Sequence, residues 1–241
     1  MTRDRLIVVS ALLIVVGLAW AYLLSGAGMS MMMPAVWTPG YAVLMFFMWW
    51  IMMVAMMLPS AMPMILIFAR ANQRQLEPVP ARVATGIFVL GYLATWAAFS
   101  LLATLAQWVL EGKGLLTPAL DSTSIWLSAG ILISAGFYQL TPLKRACLRH
   151  CRSPLTFIST HWRHGVRGAL RMGFEHGVFC VGCCWFLMGL LFFGGVMNLY
   201  WIAGLALFVF FEKIVPAGHW LGYTAGIVLL AWGAGILALS I

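Results

Sequence analysis

Long apolar runs separated by short polar segments make up most of the chain, and each run approaches the length of a membrane-spanning helix. The hydrocarbon core of a bilayer is about 30 Å thick and needs about 20 apolar residues in a helix. Backbone groups in lipid have no water to bind, so each run should be α-helical. We predict about seven spans, at residues 6–24, 41–68, 83–110, 124–140, 173–193, 198–211 and 219–239. Pro59 and Pro63 predict a kink in the second span.

The composition supports the membrane interpretation. Of 241 residues, 63% are hydrophobic and only 8% are charged, with a mean hydropathy of +1.00. Soluble globular domains carry about 25% charged residues. We therefore expect an all-α, polytopic transmembrane helix bundle that forms a single integral membrane domain over residues 1–241. The first run is too long for the apolar part of a signal peptide, so it counts as a span.

The basic residues are distributed unevenly about these spans. With the N-terminus in the cytoplasm, thirteen of the fourteen Lys and Arg residues fall in cytoplasmic segments, and only Lys113 lies outside. This asymmetry is the positive-inside pattern, and it predicts the bacterial cytoplasmic (inner) membrane as the location. The net charge of +8 then reflects topology and contact with lipid head groups, not nucleic acid.

The largest segment between spans, residues 141–172, carries seven of these basic residues. Its prolines predict two short helices at the membrane interface. Glu175 and Glu212 should lie at cytoplasmic ends of spans. We expect ion pairs with their neighbours Arg171 and Lys213, the alternative being that a carboxylate orients His176 as a metal ligand.

Methionine is concentrated in the second span, since twelve of the sixteen methionines lie in or just before it. Residues four apart share one face of an α-helix. The candidate rows are Met48, Met52 and Met56 on one line and Met53 and Met57 on the next. Thioether is a soft ligand suited to Cu(I). The alternative role for these residues is packing, because methionine is a flexible filler of apolar cores.

A second cluster of soft ligands lies in the fifth span. His176, Cys180 and Cys184 are again four apart, and Cys183 lies beside them. A mixture of thiolate, thioether and imidazole favours a soft metal, with Cu(I) first and Zn(II) second. Both clusters should lie near the middle of the membrane, which predicts one metal site between the two helices. The alternative is that these cysteines are small apolar fillers.

The remaining soft ligands flank the membrane. Cys147 and Cys151 are four residues apart in the basic segment, where they would pass metal to or from a carrier in the cytoplasm. Thiols stay reduced in that compartment, so structural disulfides are not expected. On the outer side, four clustered methionines would capture copper or anchor the loop in the interface: Met29, Met31, Met32 and Met33.

Three stretches resemble a bacterial family of integral membrane proteins of unknown function that are predicted to bind metal. They are MWWIMMVAMMLPS at 48–60, YQLTPLKRACLRHCRSP at 138–154 and GFEHGVFCVGCCW at 173–185. The similarity continues through GVMN at 195–198 and the Glu, Lys and Pro of 212–216. The resemblance implies metal binding in general. It does not supply the metal, the ligands or a direction of transport.

Several functions agree with these patterns. The first is Cu(I) handling, either as a permease or by delivery to a membrane cuproenzyme, with the lipid bilayer, the metal ion and a metal chaperone as partners. The second is a thiol oxidoreductase that uses Cys180, Cys183 and Cys184. A haem carrier would need facing histidines such as His176 and His219. The fourth candidate function is that of a structural subunit of a membrane complex. No nucleotide-binding or hydrolase motif is present, so we expect no other catalysis.

Overall fold

The computed structural model describes residues 3–26, 37–74, 79–117, 119–216 and 218–240. Within these ranges the chain is helical and contains no strand, only an isolated bridge between Leu116 and Ser122. The helices are α1 Arg3–Leu24, α2 Pro39–Arg74, α3 Ala81–Gly112, α4 Ile125–Leu140, α5 Pro142–Arg152, α6 Pro154–His161, α7 Gly165–Gly189, α8 Leu191–Gly194, α9 Leu199–Ile214 and α10 Gly218–Ala238. The prediction of an all-α fold is confirmed for the described residues.

Each predicted span coincides with a helix, but the helices differ in length. Five helical segments in the described part of the chain are long and apolar enough to cross a membrane: α1, α2, α3, α7 with α8, and α10. The other two, α4 and α9, have 16 residues each. Such a helix is about 24 Å long, which is less than the bilayer core of about 30 Å. Seven spans and a cytoplasmic N-terminus therefore stay predictions.

The basic segment ends earlier than its hydropathy indicated. Helix α7 begins at Gly165, whereas the predicted span begins at 173. Arg167 and Arg171 lie within the first two turns of α7, because polar residues interrupt an apolar run without interrupting a helix. The two short helices predicted for this segment are present as α5 and α6.

Side-chain caps mark the starts of α4, α5 and α9, where Asn198 accepts a hydrogen bond from the backbone N–H of Trp201. The hydroxyl of Ser124 accepts a hydrogen bond from the backbone N–H of Leu127 at the start of α4. The hydroxyl of Thr141 accepts one from Lys144 at the start of α5, where Pro142 needs no hydrogen-bond acceptor. Each cap satisfies one of the backbone donors that a first helical turn leaves unpaired.

Helix α2 continues through both of its prolines. Proline has no N–H, so Pro59 leaves the carbonyl of Ala55, four residues earlier, without its helical donor. The indole N–H of Trp20 in α1 donates to that carbonyl at 3.2 Å. The neighbouring helix thus satisfies the group that proline releases, as an apolar environment requires.

Glycines let α3 and α7 approach each other closely. A Cβ added to Gly173 of α7 would overlap the carbonyl of Phe88 in α3, and one added to Gly91 would overlap the carbonyl of Leu170. Small residues at such crossings let the two helix backbones come into close contact. This crossing sets the distance between the α7 cysteines and the polar side chains of α3.

Candidate metal centre

The centre begins with the buried face of α7. His176, Cys180 and Cys184 repeat every four residues, and with Cys183 all four side chains are at most 2% exposed. The thiols of Cys183 and Cys184 donate to the carbonyl of Cys180 at 3.1 and 2.9 Å. These bonds hold both sulfur atoms close to the same turn of the helix.

Helix α2 contributes a thioether to this face. The sulfur atoms of Cys184 and Met57 lie 3.9 Å apart, although the residues are 127 positions apart in the chain. Of the methionines in the two α2 rows, Met57 is the one that contacts a cysteine sulfur in the described residues. The other four are buried in the same core: Met48, Met52, Met53 and Met56.

Helix α5 brings the thiols of the basic segment to the same place. The sulfur of Cys151 lies 4.0 Å from that of Cys183. The Cys147 side chain packs against Gly182, where an added Cβ would lie 2.9 Å from the thiol sulfur. The sequence had suggested two separate groups of cysteines, whereas in the fold they adjoin.

The sulfur separations suit a shared soft metal. Two sulfurs bound to one ion at about 2.3 Å each lie no more than about 4.6 Å apart. Both the Cys184–Met57 and the Cys151–Cys183 pairs are within that limit. In the described ranges, no group of three or more His, Cys, Asp and Glu side chains has a geometry that could hold a metal. The arrangement therefore offers pairs of sulfurs, one of which includes a thioether.

Lys213, which the sequence predicted to be a cytoplasmic basic residue paired with Glu212, instead faces Cys180. The ammonium of Lys213 in α9 donates to the Cys180 sulfur at 3.0 Å and to the Ser60 hydroxyl at 3.1 Å. The phenol of Tyr92 in α3 lies 3.2 Å from the same sulfur and donates to the carbonyl of Met57. Lys213, Ser60 and Tyr92 were not predicted, because nothing in their local sequence distinguishes them from packing residues or basic flanks.

The expected pairing of Glu212 with Lys213 is wrong. Glu212 instead forms a buried ion pair with Lys144 of α5 at 2.5 Å. Adjacent residues point about 100° apart around a helix, so Glu212 and Lys213 face different neighbours. The other expected pair is present, since Arg171 donates to Glu175 at 2.9 Å. Glu175 therefore forms an ion pair at the surface of α7 and does not orient His176.

His176 lies among aromatic rings. Its imidazole stacks on Phe88 and Tyr92 with centroids 6.2 and 5.8 Å apart, and Phe157 meets it edge-on at 5.6 Å. Its Nδ1 atom is buried and has no hydrogen-bond partner among the described residues. The aromatic rings hold the imidazole in place while leaving one nitrogen unused.

The two thiols of α5 have raised pKa values, so they hold their protons more tightly than an ordinary cysteine does. Burial, followed by the nearby Cys183, raises the pKa of Cys147 above its usual range. Hydrogen bonding to Cys180 and Cys183, followed by burial, raises the pKa of Cys151 well above its usual range. A metal that binds either sulfur as thiolate must therefore displace a proton. All five cysteines are free thiols.

The outer methionines fall outside the described residues, namely Met29, Met31, Met32 and Met33. Four further buried methionines line the described core outside the two α2 rows, namely Met45, Met64, Met172 and Met188. Met188 is one helical turn beyond Cys184 on the same face of α7. Soft sulfur thus continues past the cysteines along the helix.

The fold and the site define a helical protein with several helices long enough to cross a membrane and with buried thiols beside a thioether. A family model described as a copper chaperone, PpoB2, matches residues 46–236. The chain belongs to this family, and the match covers every residue of the centre. No curated protein and no solved structure shows significant similarity to the chain.

Proposed function

We propose that this protein binds Cu(I) within the bacterial cytoplasmic membrane and delivers it to a membrane cuproenzyme. The observation that carries the proposal is the convergence of sulfur from three helices. Met57 of α2 lies 3.9 Å from Cys184 of α7, and Cys151 of α5 lies 4.0 Å from Cys183 of α7. Membership of a copper chaperone family supports copper handling in general.

The donor set favours Cu(I) over other metals. Thiolate and thioether are soft ligands, and Cu(I) accepts two or three of them. Zn(II), the second choice, usually takes four ligands in a closed tetrahedron. Calcium and magnesium require oxygen ligands, and the carboxylates of Glu175 and Glu212 are already paired with basic side chains.

Lys213 provides the charge balance for a buried copper–thiolate centre. Cu(I) held by two thiolates carries one net negative charge, which is costly to bury unless a cation lies close by. The ammonium of Lys213 is 3.0 Å from the Cys180 sulfur. The adjacent carboxylate of Glu212 does not pair with Lys213, because it is paired with Lys144. We assign Lys213 as the residue that compensates this charge.

The sulfurs divide into two kinds with different roles. The α7 thiols of Cys180, Cys183 and Cys184 are the candidate tight ligands, with His176 as a further donor; they bind copper in pairs with a neighbouring sulfur and not as one set of three. The thioethers of α2, with Met57 nearest, are neutral and bind Cu(I) without releasing a proton, so they suit transfer along the helix. Cys147 and Cys151 form the cytoplasmic end of the cluster, where a metal chaperone would give or receive copper.

The decisive experiment loads the detergent-purified protein with Cu(I) under anaerobic conditions and measures bound copper by elemental analysis. Wild type should retain about one copper or more, whereas the Cys180→Ser/Cys184→Ser variant should bind less, because only the Cys151–Cys183 pair of sulfurs remains. Met62→Leu, which removes a thioether outside the cluster, is the matched control and should bind like wild type.

The same preparation separates the alternatives. Copper that binds equally in wild type and in the cysteine variant would overturn the ligand assignment. An absence of copper in both, together with a disulfide between α7 cysteines after aerobic purification, would replace the proposal by a thiol oxidoreductase. An absence of both copper and disulfide would leave a structural subunit.

A further inference from the structure

A cavity of about 570 Å³ lies between α5 and the start of α10, apart from the sulfur cluster. Its charged and polar lining consists of Arg145, Arg149, Arg152, His219 and Tyr223. The arginines occupy positions i, i+4 and i+7 of α5, which share one face of a helix. The spacing therefore directs three guanidinium groups of a single helix into one cavity.

Two of the arginines are held in place by the protein. The guanidinium of Arg152 donates to the carbonyls of Val215 and Pro216, at 2.6 and 2.5 Å, in the turn between α9 and α10. The guanidinium of Arg145 lies 5.8 Å from the centre of the Tyr223 ring. A cation held in this way loses little side-chain freedom when it binds a ligand.

The positive charge of the cavity is unbalanced. None of the carboxylates in the described residues pairs with Arg145, Arg149 or Arg152. Glu212 does not offset this charge, because its side chain is 1% exposed and is paired with Lys144. Arginine in such a group binds phosphate oxygens through paired N–H donors.

The surroundings of the cavity are apolar and exposed, as at a membrane surface. Leu143 of α5 is 61% exposed and Trp220 of α10 is 64% exposed, and both flank cavity residues in the sequence. Tryptophan at a helix end is typical of the level of lipid head groups. A free phosphate ion would not contact these apolar side chains, whereas the acyl chains of a lipid would cover them.

We propose that this cavity binds the phosphate group of an anionic phospholipid. Arg145 and Arg149 contact the phosphate, Arg152 shapes the wall, and Leu143 and Trp220 contact the acyl region. Basic pockets between helices at a membrane surface bind anionic head groups in this way. The proposal rests on the membrane location given under Proposed function and is independent of copper.

The test measures lipid binding to the detergent-purified protein by native mass spectrometry. Phosphatidylglycerol and phosphatidylcholine of equal chain length are titrated separately, and inorganic phosphate is added as a competitor. Arg145→Gln/Arg149→Gln is the pocket variant; both side chains are exposed, so the fold should persist, as circular dichroism can check. Arg70→Gln/Arg74→Gln removes the same charge from the end of α2 and is the control.

Wild type and the control should prefer phosphatidylglycerol, and the pocket variant should bind it about tenfold or more weakly while keeping its copper stoichiometry. Equal loss in pocket variant and control would overturn the site in favour of a general charge effect. Displacement of the lipid by millimolar inorganic phosphate would identify a phosphate-ion site instead. If wild type bound no copper, the proposed function would be contradicted, but the lipid-binding result would still stand.

Discussion

At Cys180 a single sulfur atom has an ammonium 3.0 Å away and a phenol 3.2 Å away. Neither partner is near it in sequence, since Lys213 is 33 residues later and Tyr92 is 88 residues earlier. A cysteine in these surroundings differs physically from a cysteine that fills an apolar gap. The packing role that methionine and cysteine so often have does not account for a buried lysine that points at a thiol.

Replacement of Lys213 tests this contact. Lys213→Leu removes the cation beside Cys180 and should lower the affinity for Cu(I) about tenfold or more, because a hydrogen bond to a charged group contributes about 1.5–3 kcal/mol. Lys213→Arg keeps the charge and should retain most of the affinity. Competition with a chromophoric Cu(I) chelator measures both. An unchanged affinity in the leucine variant would show that Lys213 has a purely structural role.

Competition between protons and Cu(I) for the Cys151 sulfur provides a second test at the residue scale. The pKa of Cys151 is raised, so near neutral pH its thiol holds a proton that bound copper must displace. The apparent Cu(I) affinity should therefore rise with pH, by about tenfold per unit for each proton displaced. Cys151→Ser should reduce that slope if Cys151 is a ligand. Chelator competition at several pH values measures it, and equal slopes would exclude Cys151.

A buried ion pair between elements fixes α5 beside α9. Lys144 and Glu212 join α5 to α9, and both side chains are at most 2% exposed. Because Glu212 is engaged there, α9 presents Lys213 to the cysteines. The position of α5, and with it that of Cys151, depends on the same pair.

Glu212→Gln should destabilise the protein strongly. It leaves the Lys144 ammonium buried without its counter-charge, which typically costs about 3–5 kcal/mol. Glu175→Gln is the control, because the two partners of Glu175, Arg163 and Arg171, are 41% and 63% exposed and such pairs contribute about 0–1 kcal/mol. Thermal unfolding in detergent compares the two. Equal shifts in Tm would mean that the Lys144–Glu212 pair is dispensable.

The glycine crossing of α3 and α7 gives a test of the helix arrangement. Gly173→Ala places a Cβ against the backbone of Phe88 and must push the helices apart. We expect a loss of about 1–3 kcal/mol in stability and a weaker Cu(I) affinity, since Tyr92 would move away from Cys180. Gly130→Ala meets open space and should leave both unchanged. Cu(I) titration and thermal unfolding report the two effects. A fully stable Gly173→Ala protein would contradict the crossing.

Orientation belongs to the whole molecule and follows from the distribution of charge. Lys113→Cys and Arg149→Cys, each in a cysteine-free background, place one thiol at the predicted outer side and one at the cytoplasmic side. A membrane-impermeant maleimide should label the first on intact cells and the second only after permeabilisation. The opposite pattern would invert the topology and exchange the two ends of the proposed copper path.

The helices of this protein follow from local rules. Apolar composition and backbone hydrogen bonding predict the long helices, and α4 begins at Ile125, one residue after the predicted start of the fourth span. Boundaries were less predictable where a helix extends beyond the apolar run, as at Gly165, because hydropathy marks apolar residues and not the end of a helix.

The sequence by itself determined the chemistry of this protein: its membrane-like composition, its all-helical form and the abundance of soft sulfur on one face each of α2 and α7. Only the tertiary structure decided which sulfurs meet. The approach of Cys151 to Cys183, the choice of Met57 and the direction of Lys213 depend on contacts between helices far apart in the chain. Local spacing carries no information about such contacts, because they arise from how whole helices pack.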